Sequence, residues 1–252
     1  MIKIFSNLNY LNQFAAEKFI EIGREAIEKL GKFTVALAGG STPKSLYQLL
    51  TTEKFCSQID WQKVFFFFGD ERIVLPNDGE SNFRMANENL LQPLKISENQ
   101  IFRWQTEIEE ADKIAKNYER AIINFFNLKE NPPASTSDSD LFPRFDLFLL
   151  GMGDDGHTAS LFPFTEALNE RRKIAVANQV EKLNAKRLTL TFPVIDNARN
   201  VIFLVKGADK AETLREVLQG EIKAEKFPAQ TIKPTNGNLF WLIDRQAAQH
   251  LK

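Results

Sequence analysis

The chain has 252 residues, enough for a substantial buried core in one large α/β domain or two small ones. Its 32 Lys and Arg nearly balance 33 Asp and Glu, so neither nucleic acid nor an acidic membrane surface is expected as the main partner, and any anion must be captured by a local site. The single cysteine, Cys56, excludes an intrachain disulfide and a multi-cysteine metal cluster, no run approaches the ~20 apolar residues of a membrane span, and MIKIFSNLNYL has no leader-like basic and apolar segments; a cytoplasmic protein is expected.

Ile2 to Phe5 reads as a short strand. From Leu11 the apolar residues Leu11, Ala15, Phe19, Ile22, Ala26 and Leu30 recur at helical spacing between charged ones, and Gly31 is placed to end that helix. Thr34 to Ala38 is a buried-strand candidate that runs into Gly39-Gly40-Ser41-Thr42-Pro43. A helix follows through Leu46, Leu49 and Leu50, with Thr42 suited to its N-cap and Pro43 to its first position. Strand, glycine turn and helix start together point main-chain N–H groups at one spot, which favours a phosphate or carboxylate. The stretch is neither a Walker loop nor GxGxxG. With two glycines and two hydroxyls there, anion binding is preferred over a plain tight connection.

Val64 to Phe68 is a second buried strand, ending in Gly69-Asp70-Glu71-Arg72. Three charges at the tip of an apolar strand belong in solvent or in a polar cleft. Arg72 suits a phosphate, although taken alone it reads as a partner for Asp70, Glu71 or Asp78. After a polar loop, Ser81-Asn82 caps a helix through Phe83, Met85 and Leu90-Leu91. Ile101 to Trp104 reads as a short strand and Glu107 to Leu128 as a long helix. Lys129 to Arg144 (KENPPASTSDSDLFPR) is rich in Pro, Ser and Asp and is expected to be a surface loop, at about 129–144, within a single domain spanning 1–252.

Leu147 to Leu150 then delivers Gly151-Met152-Gly153-Asp154-Asp155-Gly156-His157: two carboxylates, three glycines and a potential base at the end of a buried strand. A helical segment near Thr165 to Leu168, strands at Ile174–Ala177 and Lys186–Thr191 and a helical turn at Ile195–Ala198 follow. Asn200 to Val205 is strand-like, and Lys206-Gly207-Ala208-Asp209-Lys210 opens another helix. Leu239 to Ile243 is the last strand, with Asp244 capping a short C-terminal helix. Alternating strands and helices make a parallel sheet covered on both faces. The 22 phenylalanines imply an aromatic core and carry no functional reading.

Four buried strands thus end in polar loops, at Gly39–Thr42, Gly69–Arg72, Gly151–His157 and Lys206–Lys210. In a parallel sheet these share one edge, where ligands of such folds bind. An anion nest, an arginine, lysines, carboxylates and a histidine suit a small phosphorylated substrate acted on by a general base.

AGGSTPKSLYQLL, GDERIV with SNFRMANENLL, FDLFLLGMGDDGHTASLFP and RLTLTFPVIDNA, with Gly207 to Ala211, resemble the 6-phosphogluconolactonase family from about Val35 to Leu242. The resemblance implies a Rossmann-like, three-layer α/β/α fold with a mainly parallel sheet. It also implies hydrolysis of 6-phospho-D-glucono-1,5-lactone to 6-phosphogluconate, with no required metal and no cofactor. It assigns His157 to the catalytic histidine, taken to activate water or handle the proton. Asp155 matches the acidic residue two positions before it. Arg72 and Lys210 match residues associated with the phosphate, and Gly39, Gly40, Ser41 and Thr42 the loop lining the sugar-phosphate site. Asp70, in the same block as Arg72, is counted with the substrate-binding group, and Lys206 is left as a weaker phosphate candidate.

The chemistry agrees. An imidazole ordinarily titrates near ~6.5, so a neutral one can take a proton from water at cellular pH, and Asp155 can orient the ring as in a catalytic triad. Asp154 is expected to be solvated. The main-chain N–H groups of Gly151–Gly156, or Arg72, are candidates for the oxyanion. Ser160 lies in no nucleophile elbow, so direct water attack is the simpler route. Taken alone, His157 would read as a hydrogen-bonded loop histidine, and His250 reads as a surface residue. Two other functions share this fold class and fit the residues less well. Glucosamine-6-phosphate isomerase/deaminase relatives carry a glutamate shortly after the histidine, where this chain has Leu161-Phe162. A non-catalytic sugar-phosphate sensor would carry a basic DNA-binding module, for which there is neither room nor charge. A monomer or small homo-oligomer is expected, with a sugar-phosphate lactone as ligand.

Overall fold

The computed structural model describes residues 1–108, 110–129 and 141–252; of the loop expected at about 129–144, residues 130–140 lie outside the described residues. The strands are β1 (Ile2–Phe5), β2 (Phe33–Leu37), β3 (Val64–Phe68), β4 (Asp70–Arg72), β5 (Ile101–Phe102), β6 (Leu147–Leu150), β7 (Ala175–Val180), β8 (Ala185–Leu190), β9 (Asn200–Val205) and β10 (Asn238–Asp244). Seven of them form a parallel sheet in the order β1-β10-β9-β6-β2-β3-β5. Its central strands are almost wholly apolar because both faces are covered; every residue of β2 and β6 is buried. The helices are α1 (Leu8–Leu30), α2 (Ser41–Leu50), α3 (Glu53–Cys56), α4 (Asn82–Ala86), α5 (Ala111–Phe126), α6 (Phe192–Asp196) and α7 (Ala211–Gln219). Among the described residues, no helix is long and apolar enough to cross a membrane.

Three strands lie outside the parallel sheet. β4, β8 and β7 form a small antiparallel sheet in that order, so the stretch Asp70–Arg72, expected as a loop, is a strand. α2 also starts earlier than expected. Gly40, at φ 98°, is its N-cap, which puts Thr42 and Pro43 in the first turn rather than at the cap and first position. The chain reverses through a backbone region that glycine enters without steric cost, and helical geometry begins directly after it. The helix expected over Phe83–Leu91 is α4 followed by a π-turn at Asn87–Leu91. Behind Asp244 there are turns and no helix; its carboxylate receives the Gly207 and Ala247 amides at 3.1 and 2.8 Å. α1 ends as read from the sequence, at Gly31 in the left-handed region with φ 75°.

Helix α5 covers the β3–β5 end of the sheet through an aromatic layer. Phe67 stacks on Phe102 at 4.6 Å and meets Phe125 and Phe145 edge-on at 5.2 and 5.1 Å. Polar tips from the helices secure the strand ends that feed the edge. Tyr47 of α2 bonds both main-chain groups of Ala38, and Tyr118 of α5 bonds those of Phe68. These bonds satisfy buried backbone that has left the sheet ladder. At the opposite end, Asp146 receives the Thr34 amide and hydroxyl at 2.9 and 2.7 Å and faces Arg199 at 3.2 Å, tying β2 to the start of β6.

Asp196, at the end of α6, makes stability depend on pH. Burial pushes its carboxyl up to about 6, against the Lys233 amide bonded to it and the charge of Arg171. The folded state therefore holds this proton more tightly than the unfolded chain. The contribution is fully present below about pH 4 and is lost as pH rises through about 6. Asp196→Asn should match the parent protein near pH 4 and exceed it at pH 7 by about 1–3 kcal/mol. Urea unfolding at pH 4, 5, 6 and 7 measures this, and a constant difference across that range would refute it.

Candidate active site

β9, β6, β2 and β3 lie side by side and run parallel, so their carboxyl ends open onto one edge. The four stretches read from the sequence follow these strands, three as loops and Asp70–Arg72 as β4, and surround a cavity of about 270 Å³. Gly39, Gly40, Asp70, Arg72, His157 and Lys210 line it, together with Asn82 and Gly151–Gly153. The space suits one small ligand. Ser41, Thr42 and Asp155 do not border it, nor does Lys206. Thr42 is buried and Ser41 exposed, so their hydroxyls are not on the wall. What α2 supplies is main chain: no side chain caps its N-terminus, and the first amides are left for an anion.

Close packing explains two of the glycines. A Cβ on Gly39 would lie 1.9 Å from Oδ1 of Asn82, whose amide group bridges to the Asp70 carbonyl at 3.0 Å. One on Gly153 would lie 2.1 Å from Nδ1 of His157. The His157 loop is folded on itself: the Gly153 amide donates to the His157 carbonyl, Gly156 to Gly153, and Thr158 Oγ1 to the Gly151 carbonyl. The Gly153 and Gly156 amides are thus engaged inside the loop.

Asp155 stands behind the imidazole. Its Oδ1 is 2.6 Å from Nδ1 of His157 and also receives the His157 amide at 3.2 Å. Oδ2 receives Nζ of Lys182 at 2.9 Å, from the turn between β7 and β8. Burial alone would raise the Asp155 carboxyl. The hydrogen bond and charge of His157, with the Lys182 ammonium, instead hold it well below the usual carboxylate range. An ionised carboxylate only accepts, so Nδ1 carries the proton and Nε2 is the basic nitrogen. Phe162 stacks on the ring at 4.0 Å between centroids. Lys182 was not legible in the sequence, since the β7–β8 turn meets the His157 loop only in three dimensions.

Asp70 is also more constrained than a loop carboxylate. Ser160 Oγ donates to its Oδ2 at 2.7 Å. Burial pushes its carboxyl up, opposed by Ser160 and by the charges of Arg72, His157 and Arg187. Ser160, set aside as a nucleophile, thus has a structural job, and its carbonyl is held by buried Asn178. Glu71 turns the other way. It is 2% exposed and receives the amides of Arg72, Asn82 and Phe83 and the Ser81 hydroxyl. Arg72 donates to the Glu80 carbonyl, and Lys210 lies 3.1 Å from Asp209. Asp154 is exposed, as expected, and His250 lies 3.3 Å from Glu212 at the surface. Among the described residues, no group of three or more His, Cys, Asp or Glu side chains is placed to hold a metal ion.

The fold and the edge cavity define an α/β protein that presents a histidine–carboxylate pair and cationic groups to one small ligand. The sequence matches the family described as Glucosamine-6-phosphate isomerases/6-phosphogluconolactonase over residues 6–241. It is 41% identical over 229 residues to the 6-phosphogluconolactonase of Synechocystis sp., covering 90% of this chain and 88% of that protein. To the 6-phosphogluconolactonase of Nostoc sp. it is 40% identical over 227 residues, covering 90% and 88%. The crystal structure of 6-phosphogluconolactonase from Leishmania guyanensis superposes with a TM-score of 0.87 at 28% identity, covering 100% of this chain and 98% of that one. The chain belongs to the 6-phosphogluconolactonase family, a family of lactone hydrolases within that larger group.

Proposed function

We propose that the protein hydrolyses 6-phospho-D-glucono-1,5-lactone to 6-phospho-D-gluconate, with His157 as the general base. The observation that carries this reading is the 2.6 Å contact between Asp155 and Nδ1 of His157 behind a cavity that also holds Arg72 and Lys210. Nε2 takes a proton from water as the water oxygen attacks C1 of the lactone. Asp155 keeps the ring oriented and stabilises the imidazolium that forms. Main-chain amides of the Gly151–Gly156 loop that are not engaged within it serve the negative charge developing on the carbonyl oxygen. When the bond between C1 and the ring oxygen breaks, the imidazolium returns its proton to that oxygen, which becomes the C5 hydroxyl. The first amides of α2, with Arg72 and Lys210, hold the phosphate and place C1 near the base.

The residues after His157 support hydrolysis over isomerisation with deamination. Leu161 is fully buried and Phe162 stacks on the imidazole, so neither position carries an acid–base group. Purified protein should accelerate hydrolysis of freshly generated phosphogluconolactone without added metal, and glucosamine 6-phosphate should release no ammonia. A rate equal to spontaneous hydrolysis would refute the proposal.

A further inference from the structure

We propose that Arg187 is a second guanidinium of the phosphate subsite, acting with Arg72 on a dianionic phosphomonoester at the rim of the cavity. The register of the small sheet carries this inference. β4 and β8 pair Asp70 with Thr189, Glu71 with Leu188 and Arg72 with Arg187. Side chains alternate along a strand, and directly opposed residues share a face. Asp70 and Arg72 line the cavity, whereas Glu71 and Leu188 are buried at 2% and 0% exposure. Arg187 therefore shares the face of Asp70 and Arg72, just outside the residues that line the cavity itself.

Two guanidinium groups directly opposed on neighbouring strands repel. Among the described residues, neither Arg72 nor Arg187 has a carboxylate within ion-pair distance. Their side chains donate to main-chain carbonyls, of Glu80 and Lys186 respectively. The nearby carboxylates are held elsewhere, Asp70 by Ser160 and Glu71 by three amides. Elsewhere some arginines are paired, as Arg84 is with Glu88 and Arg103 with Glu107, and others, such as Arg171, donate only to carbonyls. Burial, and then the charge of Arg72, pull the Arg187 guanidinium below its ordinary range, opposed by the carboxylates of Glu80, Asp70 and Glu71. A compact dianion between the forks relieves the repulsion and makes charge-assisted, bidentate bonds to both.

The identity of this phosphomonoester rests on the proposed lactonase reading; the demand for an anion does not. Arg187→Gln should raise KM for phosphogluconolactone roughly ten- to a hundredfold, the scale of one charge-assisted hydrogen bond, with kcat changing far less. The preference for this substrate over unphosphorylated glucono-1,5-lactone should fall by the same factor. Arg187→Lys should recover little of it. Without ligand, Arg187→Gln should raise Tm by about 2–4 °C by removing the repulsion, whereas an arginine that only supports the fold would lower it. Calorimetric titration with 6-phosphogluconate and with inorganic phosphate gives a readout independent of turnover. If the parent protein is not a lactonase, weaker phosphate binding by Arg187→Gln still supports the two-arginine site. Unchanged KM and unchanged binding, or equal losses for both lactones, would overturn it.

Discussion

Replacing His157 with alanine should lower kcat by about 10²–10⁴, the usual worth of a positioned general base, while KM for the lactone should move by less than about threefold. The geometry predicts this split. The imidazole is held by Asp155 at 2.6 Å, stacked on Phe162 at 4.0 Å and fitted against Gly153, where no Cβ could enter. These contacts fix the orientation of the ring, as the proposed proton transfer requires, and Arg72 and Lys210, the proposed phosphate groups, sit on other segments of the wall. A stopped-flow assay on freshly made lactone, corrected for spontaneous hydrolysis, measures both constants. Retention of full kcat would move the base to another group on the wall, where Asp70 is the carboxylate among the lining residues.

The second large effect is on stability. Glu71→Ala should destabilise the fold by about 3–5 kcal/mol, as the loss of one partner from a buried charged network does. Oε1 receives the amides of Arg72 and Asn82, both at 2.8 Å, and Oε2 receives Phe83 N at 2.8 Å and Ser81 Oγ at 3.2 Å. Alanine would leave three buried amides without acceptors. Glu71→Gln keeps one carbonyl acceptor but turns an NH₂ group against donors, so it should lose roughly half as much. Both variants should raise KM, because Arg72 and Asn82 are placed through these amides. Urea unfolding at pH 7 gives the first quantity, and an alanine variant within about 0.5 kcal/mol of the parent would remove Glu71 from this role.

The alternation that separates Glu71 from its neighbours also shows why parts of the site were hidden. From sequence, Asp70, Glu71 and Arg72 were three charges at a strand tip. Pairing with Thr189, Leu188 and Arg187 makes them a strand, sends Asp70 and Arg72 to the cavity and buries Glu71 beneath it. That register joins residues more than a hundred positions apart, and no local propensity encodes it. Lys182 was hidden for the same reason, since its contact with Asp155 spans two separate loops. Gly40 replaced Thr42 as the cap of α2 because the backbone needed φ 98° there, a demand that a preference for hydroxyl caps does not register.

By itself the sequence determined the apolar strands, the four loops at their ends, the Gly31 stop and the nearness of Asp155 to His157, all of which rest on neighbours along the chain. Burial on both faces of a parallel sheet writes continuous apolar runs, and a two-residue separation inside a glycine-rich loop keeps an acid beside its base. The tertiary structure alone decided which charged side chains face the ligand, which carboxylates are held by amides, and that two arginines oppose each other. Those outcomes depend on strand register and on the packing of distant loops. The free energy of a charge is set by whatever surrounds it after folding.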